Sequence, residues 1–217
     1  MNGRKIMVML PVMAVSIFFI GWHYYHQYRS ASHNRLIALI AAILLFYAWV
    51  AIGVARREQR SLFDCFVQAS YYVYIFCVLT LTGYFILFNQ VSAHHWWQSI
   101  ETRVARREGV NLEPGFLRRG YHYFNYEGIG NTIMLLPLGI YFPLLYKHLD
   151  NFLLVTGTAM LVSISIELMQ LATYTRVSDI DDVLLNTAGA AIGYIIYYLV
   201  FLLLPKKPAP AEAGPAR

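Results

Sequence analysis

Charge is scarce in this chain. Asp, Glu, Lys and Arg make up 13% of its 217 residues, against roughly 25% in an ordinary soluble domain. Hydrophobic residues reach 58% and the mean hydropathy is +0.48, which excludes a soluble globular reading. Cysteine is scarcer still: Cys65 and Cys77 lie on one predicted helix, about 18 Å apart at 1.5 Å per residue. That separation rules out a bridge between them, and both read as small buried apolar side chains. Catalytic signatures are missing too. There is no serine-nucleophile motif, no histidine pair at i, i+4 and no phosphate-cradling glycine loop. His94 and His95 are adjacent, so on a helix they diverge by about 100° and suit one metal ion poorly. They read as interface residues, and neither a metal nor a cofactor is expected. No internal repeat is visible.

What is present is a series of apolar runs of about 20 residues, the length that crosses some 30 Å of hydrocarbon. They predict spans over 6–25, 36–55, 63–88, 131–149, 152–173 and 180–204. Arg4 and Lys5 ahead of the first run resemble a secretory signal. No small-x-small cleavage site follows, so an uncleaved first span is expected, kinked at Pro11. Tyr71, Tyr72, Tyr74 and Tyr84 on the third run read as packing and hydrogen-bonding residues. Residues 92–109 differ: Trp96, Trp97, Ile100 and Val104 share one side, with Gln98, Thr102, Arg103, Arg106 and Arg107 towards the other. This is the pattern of a helix lying in the membrane surface. A loop rich in glycine and aromatics, 111–130, caps the bundle, and 205–217 is a disordered tail. The fold class is an all-α integral membrane protein with about six transmembrane helices plus one amphipathic surface helix.

The formal net charge of +5 comes from basic clusters at the ends of the runs. Such clusters orient spans and meet anionic headgroups, and nucleic acid is not an expected partner. With the N-terminus inside, the cytoplasmic side holds nine Lys/Arg against eight outside, or three outside without the long third-to-fourth connection. Both termini are therefore expected in the cytoplasm of a multi-pass membrane protein.

The chemistry concentrates between 163 and 193. Ser163, Glu167, Gln170 and Tyr174 form one stripe of the fifth span, while Asp179, Asp182, Asn186, Gly189 and Gly193 share one face of the sixth. Ionised groups at bilayer depth cost several kcal/mol unless paired or wetted, so this cluster is the candidate site. Glu167 has no Lys or Arg on its own helix; it must be protonated, paired or wetted. Asp179 and Asp182 are open between pairing with Arg176 and a direct role. Asp181 is assigned to a capping box with Ser178. Asn131 either enters the same cavity or caps its helix after Gly130. The Gly189-x-x-x-Gly193 spacing admits a close neighbouring helix.

These residues resemble those of the VanZ-like membrane proteins, named after a protein of glycopeptide-resistance clusters associated with teicoplanin resistance. The carriers are Asn111-Leu-Glu-Pro114, GNTIMLLPLG (130–139), SISIELMQ (163–170) and RVSDIDDVLLNTAGAAIG (176–193). The last is the most specific. Glu113, Gly115 and Leu135 depart from the usual pattern. The resemblance covers a VanZ-like domain (111–204) and implies a place in the bacterial cytoplasmic membrane; it says nothing of the N-terminal membrane region (1–90) and interfacial helix (91–110), which, like the tail (205–217), are read from the residues themselves. It also implies a bacterial cell-envelope role, with membrane lipids and a lipid-linked cell-wall precursor or lipoglycopeptide as partners.

Three functions follow. The first is a non-enzymatic protein that binds or shields a lipid or cell-wall-linked ligand at an outward-facing polar cavity. Its ligand-binding candidates are Asn111, Asn131, Glu167, Gln170, Arg176, Asp179, Asp182 and Asn186. The second is an intramembrane hydrolase or transferase with Glu167 as acid or base and Asp179 and Asp182 as possible ligands of a hard divalent ion. The third is a small lipid transporter or flippase using the carboxylates as proton relays, which the missing inverted repeat disfavours.

Overall fold

The computed structural model describes residues 3–23, 33–58, 61–85, 93–106, 109–115, 126–171 and 178–203. These form α1 (Gly3–His23), α2 (His33–Arg56), α3 (Leu62–Leu81), α4 (Ala93–Arg106), β1 (Val110–Asn111), α5 (Tyr126–Leu145), α6 (Phe152–Leu171), β2 (Ser178–Asp179) and α7 (Ile180–Leu203). Every described helix except α4 is long and apolar enough to cross a membrane. The mostly helical membrane fold expected from composition is the one observed.

Local chemistry sets the helix ends. Ser61 opens α3 with a capping box: its Oγ accepts from Asp64 N at 3.1 Å, and Asp64 Oδ2 accepts from Ser61 N at 2.8 Å. Asn151 opens α6, its Oδ1 accepting from Leu153 N at 2.9 Å. α3 stops at Leu81 instead of running on to Phe88 as expected. The reason is Gly83, whose φ of 81° lies in the left-handed region that ends helices. α5 begins at Tyr126, five residues before the predicted start, and ends at Leu145, with a 3-10 turn over Lys147–Leu149 leading to α6.

Two packing groups result. In the first, aromatic rings join α1, α2 and α3: Phe19 meets Phe76 edge-on at 5.5 Å and Trp49 meets Tyr72 at 5.2 Å. In the second, α5 and α6 both pack on α7. α5 and α7 approach so closely that a Cβ at Gly139, Gly189 or Gly193 would strike backbone atoms of the opposite helix. Tyr74 and Tyr71 connect the groups. Tyr74 Oη donates to the Met134 carbonyl of α5 at 2.8 Å, and the rings of Tyr71 and Tyr141 lie 5.5 Å apart. The four tyrosines of the third run were expected to pack and hydrogen-bond; Tyr71 and Tyr72 are buried in this core. Cys65 is buried as expected, whereas Cys77 is exposed.

Candidate functional site: an acidic cavity under a loop clamp

The site begins at the N-terminus of α7. There β1 pairs with β2 in parallel, Val110 against Ser178 and Asn111 against Asp179, and Ser178 N donates to the Gly109 carbonyl at 2.9 Å. Gly109 takes φ 72°, and a Cβ there would also meet the Arg103 guanidinium. The loop after β1 is then held by carboxylates. Asp181 is fully buried, and both its oxygens accept from Gly115 N at 2.9 Å. Asn111 Nδ2 donates to Asp179 Oδ2 at 2.7 Å, while Asp179 Oδ1 accepts from Asp181 N at 2.9 Å.

Capping therefore falls to Asp179, two residues ahead of the amide it satisfies, and not to the expected Ser178–Asp181 box. The Asp181 carboxylate is turned out of the helix towards the loop, where a buried amide needs an acceptor. Arg103 is corrected in the same way. It was expected on the polar side of the surface helix, yet it is buried and donates to the Leu171 carbonyl at the end of α6 at 3.1 Å. The last carbonyls of a helix have no partner within it, and a guanidinium is a favourable donor there.

Beneath the clamp lies a cavity of about 510 Å³ between α3, α5, α6 and α7. Asn131, Glu167, Gln170, Asp182 and Asn186 line its polar side, and Val78, Leu81, Ile133, Met134 and Pro137 contribute apolar walls. Glu167 is 4% exposed; its Oε2 accepts from Asp179 N at 2.9 Å, and the Ser178 hydroxyl is a further partner. Asn131 Nδ2 donates to Asp182 Oδ1. Asn131 thus sits inside α5 and reaches across to α7, which removes the helix-cap alternative. Asn186 Nδ2 donates to Ser163 Oγ at 2.9 Å, joining α7 to α6. Glu167 of α6 and Asp182 of α7 bring their carboxyl groups to the same cavity.

The structure therefore gathers Asn131, Glu167, Gln170, Asp182 and Asn186 around one space. Asn111 and Asp179 belong to the clamp and do not line it. Arg176 and Tyr174 lie outside the described residues, so the expected Arg176 pairings fall there too. The reading of the sequence missed the wall formed by Tyr74, Cys77 and Val78 of α3. It also missed the Gly115–Asp181 bond. The only available signal for that bond was a carboxylate in excess of what one helix start needs.

A bundle of membrane-crossing helices around an open, largely apolar cavity bearing two carboxyl groups defines a multi-pass α-helical membrane protein. The family described as VanZ/LLP1 matches residues 71–202, more than half of the chain, and the protein belongs to that family. The matched region begins within α3, in keeping with the place of that helix in the cavity wall. No curated protein matches the chain, and no solved structure does.

Proposed function

We propose that this protein is a bacterial cell-envelope component that holds an amphiphilic ligand, a membrane lipid or lipid-linked cell-wall precursor, in the cavity between α3, α5, α6 and α7. The observation that carries the reading is the cavity itself. Its volume of about 510 Å³ falls in the range of ligand sites, roughly 300–1,000 Å³. α6 and α7 contribute Glu167, Asp182 and Asn186, while α3 and α5 contribute Val78, Leu81, Ile133 and Met134, a mixed lining that suits a polar head and an apolar tail. Carboxyl groups at bilayer depth are expensive, and residues of this kind there mark a functional site by default. In this reading both termini are cytoplasmic and the α6–α7 connection faces outward. The resemblance to VanZ-like proteins connects such binding with reduced susceptibility to teicoplanin.

The test is expression in a susceptible bacterium. Teicoplanin susceptibility falls with the wild-type protein, and Glu167→Gln or Asp182→Asn at equal membrane levels restores it. Unchanged susceptibility on both deletion and overexpression refutes the resistance link. A labelled Arg176→Cys variant that reacts only from the cytoplasmic side refutes the orientation. A second reading, an intramembrane hydrolase or transferase with Glu167 as acid or base, draws on Glu167 and Asp182 lining the same cavity. It requires a turnover product, which lipid analysis of expressing cells would reveal.

A further inference from the structure

The walls of the cavity are unevenly equipped, and the imbalance identifies the ligand's head group. Several of the described donors already have a partner. Asn131 Nδ2 donates to Asp182, Asn186 Nδ2 to Ser163, the Tyr74 hydroxyl to the Met134 carbonyl and the Thr82 hydroxyl to the Val78 carbonyl. The acceptors are in surplus. Glu167 and Asp182 each bring a carboxylate, and Asn186, only 1% exposed, has its Oδ1 buried with no hydrogen-bond partner. An unsatisfied buried carbonyl costs about 1–3 kcal/mol, so its presence in the cavity wall points to a donor that arrives with a ligand. Among the described residues no Lys, Arg or His lines the cavity, while two carboxyl groups do. The missing component is therefore positively charged and rich in donors.

We propose that the cavity takes an amphiphile with a protonated primary amine as its head, the ammonium seated among Glu167, Asp182 and Asn186 Oδ1 and the chain lying along Val78, Ile133 and Met134. This inference rests on reading the cavity as a ligand site. An ammonium carries three donors and no acceptor, the complement of these three oxygen-bearing groups. A bare metal ion would satisfy the charge but leave most of the 510 Å³ and its aliphatic wall without a role. A phosphate or carboxylate head would bring a like charge to Glu167 and Asp182.

Cys77 provides a built-in reporter, since it is exposed and lines the cavity while Cys65 is buried. The experiment follows Cys77 modification by a neutral maleimide in the full chain reconstituted in phosphatidylcholine vesicles at pH 7. Dodecylamine, dodecanol and dodecanoate are compared at equal membrane mole fraction. The proposal predicts that dodecylamine slows modification about tenfold, equivalent to about 1.4 kcal/mol of preference, while the other two have little effect. Glu167→Gln and Asp182→Asn, each checked for unchanged thermal unfolding, abolish the amine's advantage. If dodecanol protects as well as dodecylamine, ligand binding stands and the ammonium assignment is overturned. Stronger protection by dodecanoate overturns it likewise. If none of the three protects, the cavity is not a ligand site and both readings fall. Asn186→Leu is a second variant: retained amine protection there removes the amide oxygen from the head-group site and overturns the three-point arrangement.

Discussion

Replacing Gly189 by alanine adds one methyl group where the backbones of α5 and α7 are in contact. The new Cβ would meet the Thr132 carbonyl oxygen, with the Thr132 carbonyl carbon at 2.9 Å and its Cα at 3.3 Å. All three are backbone atoms, so no side chain can rotate aside and the helices must separate. Overpacking of this kind costs about 1–3 kcal/mol, with a rigid neighbour placing it in the upper part of that range. Alanine returns up to about 1 kcal/mol through helix propensity, leaving a net loss of about 1–2 kcal/mol. Gly157 supplies the internal control. It lies within α6 with nothing within 4 Å of an added Cβ, so Gly157→Ala keeps only the propensity gain. Thermal unfolding in a mild detergent, followed by intrinsic fluorescence, compares the two variants with wild type. Gly189→Ala melts lower and Gly157→Ala melts at or above wild type. A Gly189→Ala protein as stable as wild type would show that α5 and α7 are not in backbone contact there. The Asn131–Asp182 bond, one residue from the contact, would then lose its structural basis.

Other perturbations separate the clamp from the cavity. Asp181→Ala leaves the Gly115 amide without its acceptor and costs about 1–3 kcal/mol; a melting temperature equal to that of wild type would contradict the clamp. Asn111→Ala removes one hydrogen bond to Asp179, worth about 0.5–1.5 kcal/mol, and leaves Cys77 reactivity unchanged, because Asn111 does not line the cavity. Maleimide labelling with mass detection finds Cys77 modified in the folded protein and Cys65 modified only after unfolding. Equal labelling of both would place Cys65 outside the core.

The legible parts of this fold are those written in long runs or in one helix period. Hydropathy alone locates the spans, and the i, i+3, i+7 spacing correctly puts Asp182, Asn186, Gly189 and Gly193 on one face. Asn131 was recognisable because an amide beside an apolar run must find a partner. The parts that were not legible depend on contacts distant in sequence. The β1–β2 bridge is two residues long and joins positions 68 apart, Val110 to Ser178, so it has no local period. Asp181 resembles any carboxylate at a helix start until Gly115 is brought to it. Arg103 sits on the polar side of an amphipathic helix by sequence, and only the carbonyl end of α6 makes burial favourable. The cavity wall from α3 was hidden because Cys77 and Val78 lie in a run that is apolar throughout.

The most direct test of the cavity is an experimental density map of the protein in nanodiscs made from native lipid extract. The account predicts connected density between α3, α5, α6 and α7, its head within hydrogen-bonding distance of Glu167 and Asp182 and its chain against Val78 and Ile133. A map in which that space is closed by side chains, with Glu167 directed at the surrounding acyl chains, would contradict it.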